Sequence, residues 1–180
     1  MENLYARRNF IKNVAITTTG VALLSSTSIM QAFNGNESPF EGYNPYAEDK
    51  TDLRKFSFIE NSITIKGNLY NKANLKELSK ATIEVWHLSP NSKKYNHQAK
   101  MKVNEKGEYT FITDFPNNET GKYPKVFFKI STNEKTYFTS LSLTKDNAFI
   151  DHKHYEDNFV LGDKLFPTNK QETITFNIAV

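Results

Sequence analysis

"PKVFFKIS", residues 124–131, decides the fold. Val126, Phe128 and Ile130 occupy alternate positions, and Lys125, Phe127 and Lys129 fill the places between them. That is the period of two of a β-strand with one face on the core, and a helix repeating every 3.6 residues cannot produce it. Working outward, short blocks rich in β-branched and aromatic residues recur between turn residues: "SITIKGNLY" (62–70), "ATIEVWHL" (81–88), "QAKMKVN" (98–104), "EYTFIT" (108–113), "KTYFTSLSL" (135–143) and "TITFNIAV" (173–180). With residues 124–131 they make seven blocks, and the expectation is an all-β, antiparallel sandwich of about seven strands. "NEKGE" (104–108) reads as a hairpin turn with Gly107 at a positive φ. "NKANLKELSK" (71–80) reads as one helical turn between the first two strands. Trp86, Tyr109, Phe111 and Phe128 fall on strand periodicity and are expected in the core, whereas Glu84 is expected to face solvent.

The chain of 180 residues is long enough for one domain with its own core, and its 13% aromatic content sets it apart from disordered sequences. There is no cysteine, which excludes disulfides, thiolate metal sites and a cysteine nucleophile. Setting aside the first 32 residues, which hold Arg7, Arg8 and Lys12 against Glu2, leaves 20 basic and 19 acidic side chains. So even a balance gives no footprint for nucleic acid or an anionic membrane.

Residues 1–32 read as an address. "ARRNFIK" (6–12) has the paired arginines Arg7 and Arg8, then Phe10 and Lys12, ahead of the mildly apolar "NVAITTTGVALLSS". This is the twin-arginine export pattern. It predicts a periplasmic or extracellular protein, anchored to the membrane if the segment is not cut. Residues 33–60, with "FNGNESPFEGYNPYAEDKTD", read as a linker or irregular arm on or tethered to the domain, which then occupies residues 61–180.

Taken in order, a strand with Gly67, a strand ending in Glu84-Val-Trp86, a loop reaching Tyr95, "GEYTFIT" and a Tyr-Pro pair before "KVFFKIS" resemble the intradiol ring-cleavage dioxygenases over about residues 63–143. The resemblance implies a β-sandwich holding non-haem Fe(III) on two tyrosines and two histidines, and cleavage of catechols between their hydroxyls by dioxygen. It gives Tyr95 the place of the first tyrosine ligand and Tyr123 that of the second. It also exposes a departure: the two histidine places fall on Lys125 and Phe127, the arginine place falls near Lys122, and the loop before the strand is short. Ferric iron is a hard acid suited by phenolate oxygen and imidazole nitrogen, and an ammonium offers it no lone pair.

The remaining imidazoles are His87, read as a packed residue, His97, two residues from Tyr95 and able to pair with it on an extended chain, and His152 and His154 in "DHKHYED", read as a polar loop whose His-x-His spacing can also bind a metal. Nothing in the spacing singles out a serine for a Ser/His/Asp set. The first functional reading is an exported intradiol dioxygenase-like protein with a degenerate iron site and a small aromatic ligand or a protein as partner, with no role for nucleic acid. The second is a non-catalytic binding module like transthyretin or the carboxypeptidase regulatory domains. The third is an active dioxygenase with a rebuilt metal site on Tyr95, His97, His152 and His154.

Overall fold

A computed structural model describes residues 38–55 and 62–180. The signal segment, with Arg7, Arg8, Phe10 and Lys12, lies outside the described residues. Among the described residues, ten strands form two five-stranded sheets packed face to face. In one sheet, β1 (Ser62–Tyr70) pairs antiparallel with β4 (Glu108–Asp114) along one side. Along its other side lie β9 (Thr173–Thr175) and then β10 (Ile178–Ala179), both parallel to it, and β8 (Thr168–Lys170) completes this sheet beyond β9. The other sheet runs β3 (His97–Lys102), β2 (Thr82–His87), β5 (Lys125–Ser131), β6 (Thr136–Leu143) and β7 (Ala148–Ile150), antiparallel throughout.

All seven expected blocks form strands. The last is split at Phe176 and Asn177, and the three-residue strands β7 and β8 have too little sequence to show a period. The split has a local cause. Tyr109 donates to the Phe176 carbonyl at 2.5 Å, and that carbonyl lies so close over Gly67 that a Cβ there would sit 1.8 Å from it. Residues 71–80 keep one hydrogen-bonded turn, Leu75 N–H to Asn71 O at 2.8 Å, and Gly107 takes φ +69° in the 104–108 turn.

Alternation holds in β5: Val126, Phe128 and Ile130 enter the core with Ile83, Val85, Ala99 and Phe111 from neighbouring strands. It fails as a guide to exposure in both β2 and β5, where Glu84, Trp86, Phe127 and Lys129 on the outer face are buried as well. The arm explains this. Phe40 stacks on Phe127 with ring centroids 4.8 Å apart, Tyr43 packs on Trp86 at 5.1 Å, and the Trp86 indole N–H donates to the Glu41 carbonyl at 2.9 Å. Aromatic pairs of this kind add about 0.5–1.5 kcal/mol each beyond area burial. Glu84 therefore does not face solvent: it meets Lys129 at 3.1 Å beneath Tyr43, whose hydroxyl donates to Glu84 at 2.9 Å and accepts from Lys129 at 2.6 Å.

Further along, the arm bridges the two sheets at their open edges. Lys50 N–H donates to Lys100 O on β3 and Leu53 N–H to Ile112 O on β4, while Lys100 and Ile112 donate back to Glu48 O and Thr51 O. Leu53 enters the core. Edge strands that would otherwise offer unpaired N–H and C=O groups are thus occupied by the chain itself.

Residues 152–158 are a helix, α1 (His152–Asn158), not the loop expected from "DHKHYED". Asp151 caps it, accepting the His154 N–H at 2.7 Å, and the pairs His152/Glu156 and Lys153/Asp157 lie one turn apart on its surface.

Candidate functional site

One end of the sandwich carries a cleft of about 270 Å³. The β2–β3 loop contributes Tyr95, the β4–β5 loop Glu119, Lys122 and Tyr123, the start of β5 Lys125 and Phe127, and the arm Phe40 and Glu41. The four places that the resemblance assigns to metal ligands, Tyr95, Tyr123, Lys125 and Phe127, therefore line a single cleft, with Lys122 beside them.

Tyr95 is held on three sides. Its hydroxyl donates to Glu119 Oε1 at 3.1 Å, its ring lies 6.3 Å from that of Phe127, and its face rests on the arm at Gly42. A Cβ at Gly42 would stand 2.1 Å from Tyr95 Cγ, and Gly42 has φ +80°, so both contact and backbone require glycine. Burial pushes the Tyr95 hydroxyl up to about 12, with the Glu119 hydrogen bond and the charges of Glu119 and Glu41 acting in the same direction. At neutral pH it is a phenol. Glu119 is held below the usual carboxylate range, first by its ion pair with Lys122 and next by Tyr95. Tyr123 is 63% exposed at the rim, its ring 6.3 Å from that of Phe149. Lys125 projects from β5 with no hydrogen bond or ion pair among the described residues.

These residues do not fit a ferric centre. An ammonium and a phenyl ring stand on the two nitrogen-donor places that the resemblance assigns, and neither offers a lone pair. No imidazole lines the cleft among the described residues.

The four histidines lie elsewhere. His97 does not pair with Tyr95: it points between the sheets, where Nδ1 meets Ser89 Oγ at 2.9 Å and Nε2 meets Asp114 Oδ2 at 2.8 Å. His87 stacks on it at 4.8 Å, with its own nitrogens 2.8 Å from Leu88 O and 2.6 Å from Thr113 Oγ1. Burial lowers the His87 imidazole to about 3, with the neighbouring His97 acting in the same direction and the Leu88 hydrogen bond and Asp114 acting against it. His152 is exposed on α1, 3.1 Å from Glu156, while His154 is buried, with Nδ1 2.7 Å from Thr139 Oγ1. Residues two apart on a helix point to nearly opposite sides, so this pair does not converge. Among the described residues no three His, Asp or Glu side chains gather as a metal-binding group. The sequence reading missed Ser89 and Asp114, because only the register of β3 against β2 and the turn at Ser89 bring them to His97.

A two-sheet β-sandwich with an aromatic, charged cleft at its loop end is the class that fold and site define. No protein-family profile matches this chain, and no curated protein matches it in sequence. Solved structures do match in fold. The dioxygenase domain of a dioxygenase carbohydrate-binding protein fusion from Streptomyces sp. SirexAA-E superposes with a TM-score of 0.59 at 14% identity, over 81% of this chain and 96% of that one. An intradiol ring-cleavage dioxygenase from Tetranychus urticae gives 0.58 at 13%, over 80% and 91%, and a hydroxyquinol 1,2-dioxygenase from Pseudomonas putida DLL-E4 gives 0.54 at 12%, over 83% and 68%. The chain has the fold of the intradiol ring-cleavage dioxygenases and is dioxygenase-like in architecture.

Proposed function

We propose that this is an exported, dioxygenase-like protein whose former metal cleft binds a small aromatic ligand without iron and without ring cleavage. The observation that carries the reading is the meeting of Tyr95, Tyr123, Lys125 and Phe127 in one cleft with an ammonium and a phenyl ring on the nitrogen places. Phe40, Phe127 and Tyr95 supply ring faces for an aromatic guest, and Lys125, without an internal partner among the described residues, supplies a cation for an acidic substituent. Such a guest suits a scaffold whose structural neighbours are described as an intradiol ring-cleavage dioxygenase and a hydroxyquinol 1,2-dioxygenase, and export rests on the Arg7-Arg8 pattern.

The test is to purify the protein, supply Fe(III), and record the visible spectrum, bound metal and oxygen uptake with catechol. A panel of aromatic acids is then screened by thermal shift. The expected result is a colourless protein with no oxygen uptake, stabilised by an aromatic acid, with the stabilisation lost in Lys125→Ala. Stoichiometric iron with a phenolate charge-transfer band that Tyr95→Phe bleaches, together with catechol consumption, overturns the proposal.

A further inference from the structure

On the other flank of the β2–β3 loop lies a second cleft, of about 600 Å³, bordered by Ser89, Asn91, Asn96, His97, Gln98 and Asp114, with Lys55 at its edge. Three of these residues meet in a line. Ser89 lies two residues past β2, His97 opens β3 and Asp114 ends β4. The Ser89 Oγ to His97 Nδ1 distance is 2.9 Å and the His97 Nε2 to Asp114 Oδ2 distance is 2.8 Å. His97 is 2% exposed, Asp114 not at all, and Ser89, at 8%, is the member nearest the cleft.

With His97 neutral, one proton arrangement serves every contact in this line. Asp114 Oδ2 already accepts the Lys55 N–H at 3.0 Å, and as an acceptor it takes the Nε2–H of the neutral ring. Nδ1 is then a bare lone pair and accepts the Ser89 hydroxyl proton. Ser89 Oγ in turn accepts the Asn96 N–H at 3.2 Å, which leaves its own proton for the imidazole. His87, stacked alongside and bonded to Leu88 and Thr113, competes for neither partner. A hydroxyl, a base facing it and a carboxyl group that orients the base are the components of nucleophilic acyl transfer. A second observation points to a ligand: Asp114 Oδ1 and Gln98 Oε1, both sequestered from solvent, have no hydrogen-bond partner among the described residues, and both residues border this cleft.

We infer that Ser89 is a nucleophile activated by His97 as general base, with Asp114 as the residue positioning His97, and that the cleft takes a small carboxylic ester. In the first half-reaction Ser89 Oγ bonds to the ester carbonyl carbon and its proton passes to His97 Nδ1. The bond from that carbon to the alkoxy oxygen breaks, and the leaving oxygen takes the proton from Nδ1 to depart as an alcohol. In the second, water adds to the acyl-serine by the same route, and the products are a carboxylic acid and free Ser89. Lys55, Asn91 and Asn96 are the bordering donors for the negative charge on the carbonyl oxygen. This inference is independent of the aromatic cleft.

The test treats the full chain with an alkyl fluorophosphonate, in which Oγ displaces fluoride from phosphorus and the proton passes to His97. Intact mass and peptide mapping follow the product. The expected result is one adduct, on Ser89. Ser89→Ala abolishes labelling, and His97→Gln slows it by about 100-fold or more, the scale of a lost general base. Asp114→Asn slows it and displaces the pH profile, which a merely structural role would not do. Circular dichroism checks that each variant is folded, and mapping on the unaltered chain decides the matter where one is not. No adduct between about pH 6 and about pH 9, an adduct on another residue such as Ser92, or an undiminished rate in folded His97→Gln overturns the inference.

Discussion

Replacing Lys129 by Met tests how the arm is held. Glu84 and Lys129 are buried, at 7% and 5% exposure, with N and O 3.1 Å apart. Tyr43 completes the set: its hydroxyl bridges the pair and its ring lies 4.7 Å from the Lys129 ammonium. In Lys129→Met the carboxylate of Glu84 stays under the arm with only the Tyr43 hydroxyl to answer it. Breaking a buried pair from one side costs about 3–5 kcal/mol, because an uncompensated charge remains. Removing both charges, Glu84→Leu with Lys129→Met, takes away the desolvation of two ions as well as their attraction and is expected within about 1 kcal/mol of the original. Urea unfolding of the two single variants and the double variant measures both quantities and their coupling. At this chain length a loss of about 4 kcal/mol lowers Tm by roughly 8–16 °C. A Lys129→Met cost under about 1 kcal/mol, or a double variant as unstable as the sum of the singles, would refute a dry, arm-covered pair.

Gly42→Ala forces a side chain into a left-handed backbone and against the Tyr95 ring; the backbone alone costs about 1–2 kcal/mol, and limited proteolysis should cut the arm faster in this variant. Stability should fall on acidification, because burial lowers His87 to about 3 and His154 to about 4. The unfolded chain takes up these protons near pH 6.5 and the folded one refuses them, so stability is whole above that pH and declines as pH falls towards 4. The slope is about 1.4 kcal/mol per pH unit for each imidazole; urea midpoints between about pH 7 and about pH 5 should show it, and His154→Gln should reduce it. Placing imidazoles with Lys125→His and Phe127→His together should create Fe(III) binding with a visible phenolate band, which a further Tyr95→Phe abolishes. Metal analysis and absorbance check this, and a colourless double variant counts against the placement of those two positions.

What the sequence shows of this fold is whatever repeats locally. Val126, Phe128 and Ile130 are readable as an inward face because the pleat enforces a period of two within seven residues. The turn at Gly107 is readable for the same reason. The burial of Glu84 and Trp86 is not, since what covers them is an arm more than forty residues earlier in the chain, with no period of its own. In α1 the signals were present: Asp151 as cap, then His152/Glu156 and Lys153/Asp157 at helical spacing. Reading "DHKHYED" as a polar loop passes over them.

The two clefts differ in the same way. The four places of the aromatic cleft follow one another on a strand and two loops, so a family resemblance in sequence aligns them. Ser89, His97 and Asp114 sit 8 and 17 residues apart, at spacings that carry no signal until strand register is known. His97 opens β3 opposite His87, the last residue of β2; a shift of either strand by one residue would turn His97 to the other face of the sheet. The bonds from Lys50 and Lys100 pin β3, and those from Leu53 and Ile112 pin β4, the strand that carries Asp114. The arm that closes over the aromatic cleft therefore also fixes the register on which the Ser89–His97–Asp114 line depends.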